Sequence, residues 1–110
     1  YANRDSKIFI GLSRLYWQVR LGDLIEHVES KLTSPAIVLF GSLSKAEAKP
    51  DSDIDLAIFA AKRTVDFGHF EKKLKRKIQV FWYRSLKDVP SKELENSIIN
   101  GYILAGRLTL

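Results

Sequence analysis

Two stretches of regularly spaced apolar residues open the chain. The first, residues 6–20, has apolar side chains at Ile8, Leu12, Leu15, Tyr16 and Val19, and the second, residues 21–32, has them at Leu21, Leu24, Ile25, Val28 and Leu32. Spacings of three and four residues place each set on one face of a helix. Because Gly22 lies between the sets, the pattern predicts either two helices or one kinked helix, ending before Pro35.

Short apolar runs alternate with amphipathic segments in the rest of the chain. They predict strands over residues 36–40, 54–60, 78–83 and 102–108, and helices over residues 65–76 and 92–100. Ser91 is the predicted N-cap of the last helix, and Asn100-Gly101 is its predicted C-terminal stop. The predicted order is therefore a helical segment, strand, strand, helix, strand, helix and strand.

The connection between the first two strands, from Gly41 to Ser52, is too short to hold a crossover helix and its turns. Strands 36–40 and 54–60 are therefore expected to be antiparallel neighbours. This arrangement favours an α+β fold, with a sheet of about four strands and helices packed on one face. At 110 residues we expect a single domain, with a helical segment at about 6–32 and a core at about 33–110.

Composition excludes several classes of function. The chain has no cysteine, which excludes disulfides, cysteine-ligated zinc and thiol catalysis. Its two histidines are far apart in the sequence, so we expect no histidine-built metal site. No apolar run approaches the ~20 residues of a membrane span, and the first residues do not resemble a signal peptide. We therefore expect a cytoplasmic protein without a membrane partner.

Positive charge leaves two explanations open. The net charge of +5 suits either simple solubility or an anionic partner such as a nucleotide, a nucleic acid or an acidic protein. The densest part is the basic run, which consists of Lys72, Lys73, Lys75, Arg76 and Lys77. We expect it to be either a solvated helix face or a weak nucleic-acid patch. Tyr16 and Trp17 also allow two interpretations: they belong to the core side of their helix, or they form the contact of a homo-oligomer.

A candidate site lies between the first two strands. Gly41-Ser42 follows the first strand, and ten residues later Asp53-Ile54-Asp55 opens the second. Strand alternation puts Asp53 and Asp55 on one face, where two carboxylates raise each other's pKa unless a cation lies between them. Mg²⁺ suits one or two carboxylates together with substrate phosphates. Gly41 lets a phosphate approach the backbone and Ser42 adds a hydroxyl donor, unless the segment is a plain turn followed by solubilising charges.

The segment from Phe40 to Leu56 resembles the signature of the minimal nucleotidyltransferases, which belong to the DNA polymerase beta superfamily. The family pattern is Gly-Ser, ten residues and Asp-x-Asp, often with Pro-x-Ser before the aspartates, as in Pro50-Asp51-Ser52 here. Lys45 keeps the basic residue that is usual at its position. Ala46 replaces the usual glycine, so the loop is expected to turn differently.

The resemblance implies a mixed sheet and the transfer of a nucleoside monophosphate from a triphosphate to a hydroxyl or phosphate, with Mg²⁺. ATP is the nucleotide we expect. Carried over by position, Gly41, Ser42 and Lys45 bind the triphosphate. Asp53 and Asp55 bind the metal ions and are the catalytic residues. In the two-metal scheme, one ion activates the attacking oxygen and the other stabilises the leaving pyrophosphate.

One position departs from the family pattern. The family has a third carboxylate on the next core strand, and strand alternation places Gln79 there instead. A neutral amide is a poor Mg²⁺ ligand and cannot act as a base. The two-metal site is therefore incomplete unless Glu47 or Asp51 substitutes. The alternatives are slow chemistry and nucleotide binding without turnover.

The resemblance also implies a second class of function. Minimal nucleotidyltransferases of this kind commonly pair with a small helical HEPN-type protein, as antitoxin and toxin. Neutralisation in such pairs proceeds by adenylylation of the toxin or by binding alone. The amide at Gln79 favours binding, so a catalytically weak partner of a HEPN-like protein is the alternative to an active enzyme.

Overall fold

The computed structural model describes residues 7–41 and 52–108, with side chains from residue 11 onward. In chain order the elements are α1 (Lys7–Arg20), α2 (Gly22–Lys31), β1 (Ala36–Phe40), β2 (Ile54–Phe59), α3 (Gly68–Leu74), β3 (Ile78–Tyr83), α4 (Lys92–Ile99) and β4 (Tyr102–Ala105). This is the predicted order, with two N-terminal helices that meet at Leu21. A 3₁₀ turn over Leu86–Asp88 was not predicted, because three residues carry no periodic pattern.

The four strands form one sheet in the order β3-β2-β1-β4. β1 is antiparallel to both β2 and β4, whereas β2 and β3 are parallel. The predicted antiparallel pairing of the first two strands is confirmed, and so is the α+β class with a mixed sheet. The connection between β1 and β2 thus joins neighbouring strands, and Gly41 and Asp55 meet at one end of the sheet.

Both faces of the sheet are covered, because every residue of β1 is buried. On one face, side chains from α1, α2 and α3 pack on the sheet; these include Trp17, Leu24, Val28, Phe70 and Leu74 over Ile37, Leu39, Leu56 and Ile58. On the other face, Ile98 of α4 packs with Leu86, Val89, Val38, Phe40, Ala57 and Phe59. The expectation of helices on one face therefore describes α1, α2 and α3, and α4 packs on the opposite side.

Local signals set the ends of the elements. The Ser91 hydroxyl accepts a hydrogen bond from the backbone N–H of Leu94 at 3.1 Å, which confirms the predicted N-cap of α4. α3 is shorter than the predicted 65–76, because the chain enters it at Gly68 and leaves it at Lys75, a left-handed residue with φ of 55°. β4 ends before the predicted residue 108, since Gly106 turns the chain with φ of 72°.

The basic run is divided among different environments. Lys73 of α3 forms an ion pair with Asp23 of α2, and this contact lowers the pKa of Asp23. Lys72, Lys75 and Lys77 are exposed, whereas Arg76 is half-buried. The run is therefore not one continuous patch. None of the described helices is long and apolar enough to cross a membrane.

Arg76 connects three parts of the fold. Its guanidinium donates a hydrogen bond from Nη1 to the backbone oxygen of Ser52 at 2.7 Å, just before β2. The same group lies over the Trp17 ring of α1, with Cζ 5.3 Å from the ring centroid. A hydrogen bond from a charged donor and a cation–π contact both stabilise a half-buried arginine. Arg76 therefore holds the entry to β2 against the helical layer.

We predict that Arg76→Ala lowers the free energy of unfolding by about 2–3 kcal/mol, because it removes both contacts. Urea denaturation measures the change, with Lys72→Ala as the matched control from the basic run. Lys72 is exposed, so its replacement is expected to stay within about 0.5 kcal/mol of the parent. Equal effects of the two substitutions would show that Arg76 contributes only surface charge.

Candidate functional site

Two carboxylates stand at the start of β2, in the middle of the sheet. Asp53 lies just before the strand and Asp55 is its second residue, so both project to the face that α4 covers. Asp55 is paired with Phe40 on β1 and with Gln79 on β3. The end of β1 and the starts of β2 and β3 therefore meet at one end of the sheet. Both carboxylates are half-buried there.

Gly41 brings the backbone against this carboxylate pair. It follows β1 with φ of 79°, a conformation that favours glycine. A Cβ atom built at this position would overlap Oδ2 of Asp55. Only a residue without a side chain can therefore pass so close to Asp55. The backbone at the end of β1 is thus packed directly against the carboxylate of Asp55.

Burial raises the pKa of Asp55 above its ordinary value, and the neighbouring carboxylate of Asp53 raises it further. Both causes disfavour the ionised form. A cation between the two carboxylates opposes both causes. It replaces the solvation that Asp55 loses on burial, and it offsets the repulsion between the two negative charges. The acid pair is thus arranged to accept a positive charge.

Gln79 occupies the position where the sequence comparison expected a third acid. Its side-chain Nε2 donates a hydrogen bond to Oδ2 of Asp53 at 3.2 Å. The backbone N–H of Ile54 donates to the carbonyl of Lys77 at 2.8 Å, which aligns the starts of β2 and β3. Gln79 therefore satisfies one carboxylate oxygen with a neutral donor, where an acid would have added a third negative charge.

The two carboxylates of this site fit Mg²⁺. This ion commonly binds one or two protein carboxylates and completes its coordination shell with water and substrate phosphates. Asp53 and Asp55 could supply two such carboxylates. Within residues 7–41 and 52–108, no group of three or more His, Cys, Asp or Glu side chains could hold a metal ion.

Three of the five residues predicted for the site can be located. Gly41, Asp53 and Asp55 lie together at one end of the sheet. Ser42 and Lys45 lie outside the described residues, as do Glu47 and Asp51, the two candidates to replace the third acid. The roles of all seven residues remain predictions.

Sequence reasoning missed two residues that position the site. Arg76 holds the carbonyl of Ser52, next to Asp53. Glu71 of α3 accepts a hydrogen bond at Oε2 from the backbone N–H of Ile78, at 2.9 Å, and so fixes the residue before Gln79. Arg76 belongs to the basic run in sequence. Its position two residues before β3, which pairs with β2, is the signal that distinguishes it.

Comparison with known proteins agrees with this geometry. The protein-family model described as polymerase beta, nucleotidyltransferase matches residues 23–105, which include all four strands, Gly41 and both aspartates. Searches of curated proteins and of solved structures found no match. The family match covers most of the chain and excludes only α1 and the two ends. The chain therefore belongs to the polymerase beta nucleotidyltransferase family.

Proposed function

We propose that this protein transfers a nucleoside monophosphate from a nucleoside triphosphate, with ATP as the expected donor, to a protein or other acceptor in the cytoplasm. The observation that supports this most directly is the contact between Gly41 and Asp55. It places the backbone at the end of β1 against a carboxylate whose ionised form burial and a neighbouring carboxylate disfavour, so a cation would be stabilised there.

Each residue of the site has a separate task in this reaction. Gly41, with Ser42 and Lys45, binds the triphosphate through backbone and side-chain donors. Asp53 and Asp55 hold Mg²⁺, which when bound neutralises the phosphates and activates the attacking oxygen. The acceptor oxygen bonds to the α-phosphorus, the bond from the α-phosphorus to the bridging oxygen breaks, and pyrophosphate leaves while the proton of an attacking hydroxyl passes to water.

Gln79 limits the rate of this transfer. Its amide cannot accept the proton of an attacking hydroxyl, and it adds no negative charge for a second metal ion. The two aspartates suffice for metal-bound nucleotide, since Mg²⁺ commonly uses one or two carboxylates. We therefore propose firm nucleotide binding with slow transfer.

One structural feature favours the second candidate function, a binding partner of a HEPN-like helical protein. The outward face of α1 is apolar, with exposed fractions of 63% at Leu12, 57% at Leu15, 53% at Tyr16 and 75% at Val19. Trp17, by contrast, is in the core at 6% exposed. A helix that is apolar on both faces is typical of one buried on both sides. This α1 face (Leu12, Leu15, Tyr16 and Val19) is suited to pack against another helix.

We predict that Asp53→Asn and Asp55→Asn each weaken binding of a non-hydrolysable ATP analogue with Mg²⁺ by about 10- to 100-fold. Isothermal titration calorimetry measures the loss. Glu29→Gln, which removes one exposed charge on α2, is the matched control and should bind as the parent does. No heat of binding for the parent protein with Mg²⁺ present would refute the proposed function.

The same Asp55→Asn variant should be more stable than the parent at pH 7. The pKa of Asp55 is higher in the folded protein than its ordinary value of 3.8. Its contribution to stability is therefore complete below pH 3.8, and it is lost as the pH rises through the folded-state pKa. An asparagine side chain does not ionise, so the variant does not lose stability over this pH range. The Tm of the variant should therefore exceed that of the parent at pH 7 and approach it at low pH, in thermal scans without metal.

Gln79→Glu tests the third position. We expect faster transfer of radiolabelled monophosphate and tighter Mg²⁺ binding, because a third carboxylate is added beside Asp53. Without metal the extra charge should lower the Tm, and Mg²⁺ should restore it. Gln79→Ala removes the hydrogen bond without adding charge, and it should not increase the rate of monophosphate transfer. An unchanged transfer rate and metal response in Gln79→Glu would show that position 79 is outside the reacting site.

The α1 face predicts a partner-dependent phenotype. Val19→Glu should abolish co-purification with the protein coded by a neighbouring reading frame, because it places a charge on the most exposed residue of the apolar surface. Its Tm should be unchanged, since the side chain is exposed. Ile99→Glu makes the same change at an exposed residue of α4, 45% accessible, and should keep the complex. Retention of the complex by Val19→Glu would exclude this face.

A further inference from the structure

A small polar pocket lies at the end of the sheet opposite the acid pair. Its volume is about 170 Å³. It is formed where β1 begins and where β2, β3 and β4 end, and its walls include Ser34, Ala36, Phe59, Arg84, Ser85 and Arg107. We call this the two-arginine pocket. It shares no residue with the site of Gly41, Asp53 and Asp55.

The fold brings the two arginines together from different strands. Arg84 follows β3 directly, while Arg107 follows β4 after a turn at Gly106. A Cβ at Gly106 would overlap the backbone oxygen of Pro35, so only glycine lets the chain cross there. Arg107 is thereby placed beside Ser34, which itself has a left-handed φ of 44°.

The two arginines of the pocket have no carboxylate partner among the described residues. Within the described part of the chain, neither Arg84 nor Arg107 has an ion pair or a hydrogen bond, and no Asp or Glu side chain lines the walls. Asp88 accepts hydrogen bonds from the backbone N–H and the hydroxyl of Ser85, at 3.2 and 3.5 Å. This carboxylate caps the 3₁₀ turn and occupies the Ser85 hydroxyl. The Ser34 hydroxyl has no hydrogen-bond partner among the described residues, so it can donate to a ligand in the pocket.

The floor of the pocket is apolar. Ala36 and Phe59 are 4% and 8% exposed and belong to the core on the α4 face of the sheet. Arg84 and Arg107 are exposed at the walls, where two positive charges beside one cavity attract an anion. Guanidinium groups also bind oxyanions through two parallel hydrogen bonds, a geometry that lysine does not offer.

From these observations we propose that the two-arginine pocket binds the phosphoryl group of a small ligand, as inorganic phosphate or as a phosphate monoester. Its volume is below the roughly 300–1,000 Å³ of pockets that enclose drug-sized molecules, so it does not hold a whole nucleotide. Arg84 and Arg107 bind the oxyanion, and the Ser34 hydroxyl donates a third hydrogen bond. This site is independent of the proposed transferase activity.

Titration with inorganic phosphate, followed by ¹H–¹⁵N correlation NMR at constant ionic strength, tests the proposal. We expect saturable shifts at the amides of Ser34, Ser85 and Arg107. Arg84→Gln and Arg107→Gln should each weaken this binding by about tenfold or more. Arg63→Gln is the matched control, because Arg63 lines a separate groove with Lys62 and Trp82, and it should bind phosphate as the parent does.

Several outcomes would overturn the proposal. They are shifts that do not saturate, an equal loss in Arg63→Gln, and equal saturation by acetate, which would show that the pocket does not select a phosphoryl group. Should a glutamine variant fail to fold, Arg107→Lys keeps the charge and removes the planar fork, and it should still bind more weakly. Phosphoserine titrated in parallel identifies the source: tighter binding than phosphate indicates a monoester, and equal binding indicates the free ion.

Discussion

β1 is buried along its whole length and on both faces, and it is paired on both edges. Five consecutive apolar residues with no solvated side require a helical layer above and another below, which is why α4 packs opposite the other helices. The strand ends at Gly41 because the next strand returns beside it with Asp55 facing Phe40. The antiparallel pairing of β1 with β2 thus both buries the central strand and places the acidic residues at its end.

The acid pair shows a conflict between folding and function. Asp55 is half-buried beside another carboxylate, and its raised pKa records the cost of its charge in the folded protein. Gln79 moderates that cost by giving Asp53 a hydrogen bond in place of a third negative charge. A third carboxylate would favour a second metal ion, but it would also increase repulsion whenever no metal is bound. Gln79 therefore spares the fold a third negative charge, at the position where the proposed two-metal chemistry would use one.

Sequence alone predicted the strands well because they are short, apolar and bounded by polar residues; the bounds of β1 and β3 agree with the prediction. Strand alternation also placed Gln79 on the face of the aspartates. The face that α4 covers was not predictable, since periodicity shows that a helix is amphipathic and not which side of the sheet it meets. Nor was the role of Arg76, because composition does not distinguish a half-buried cation from its exposed neighbours.

Charge is divided between the two ends of the sheet. Asp53 and Asp55 lie where β2 begins, and Arg84 and Arg107 lie near where it ends; a six-residue strand separates them by about 20 Å. At that distance exposed charges are largely screened at physiological salt, so the arginines do little to offset the repulsion within the acid pair. Arg76 lies nearer, but it is engaged with the carbonyl of Ser52 and the ring of Trp17. A cation between the two carboxylates would relieve the burial and the repulsion that raise the pKa of Asp55.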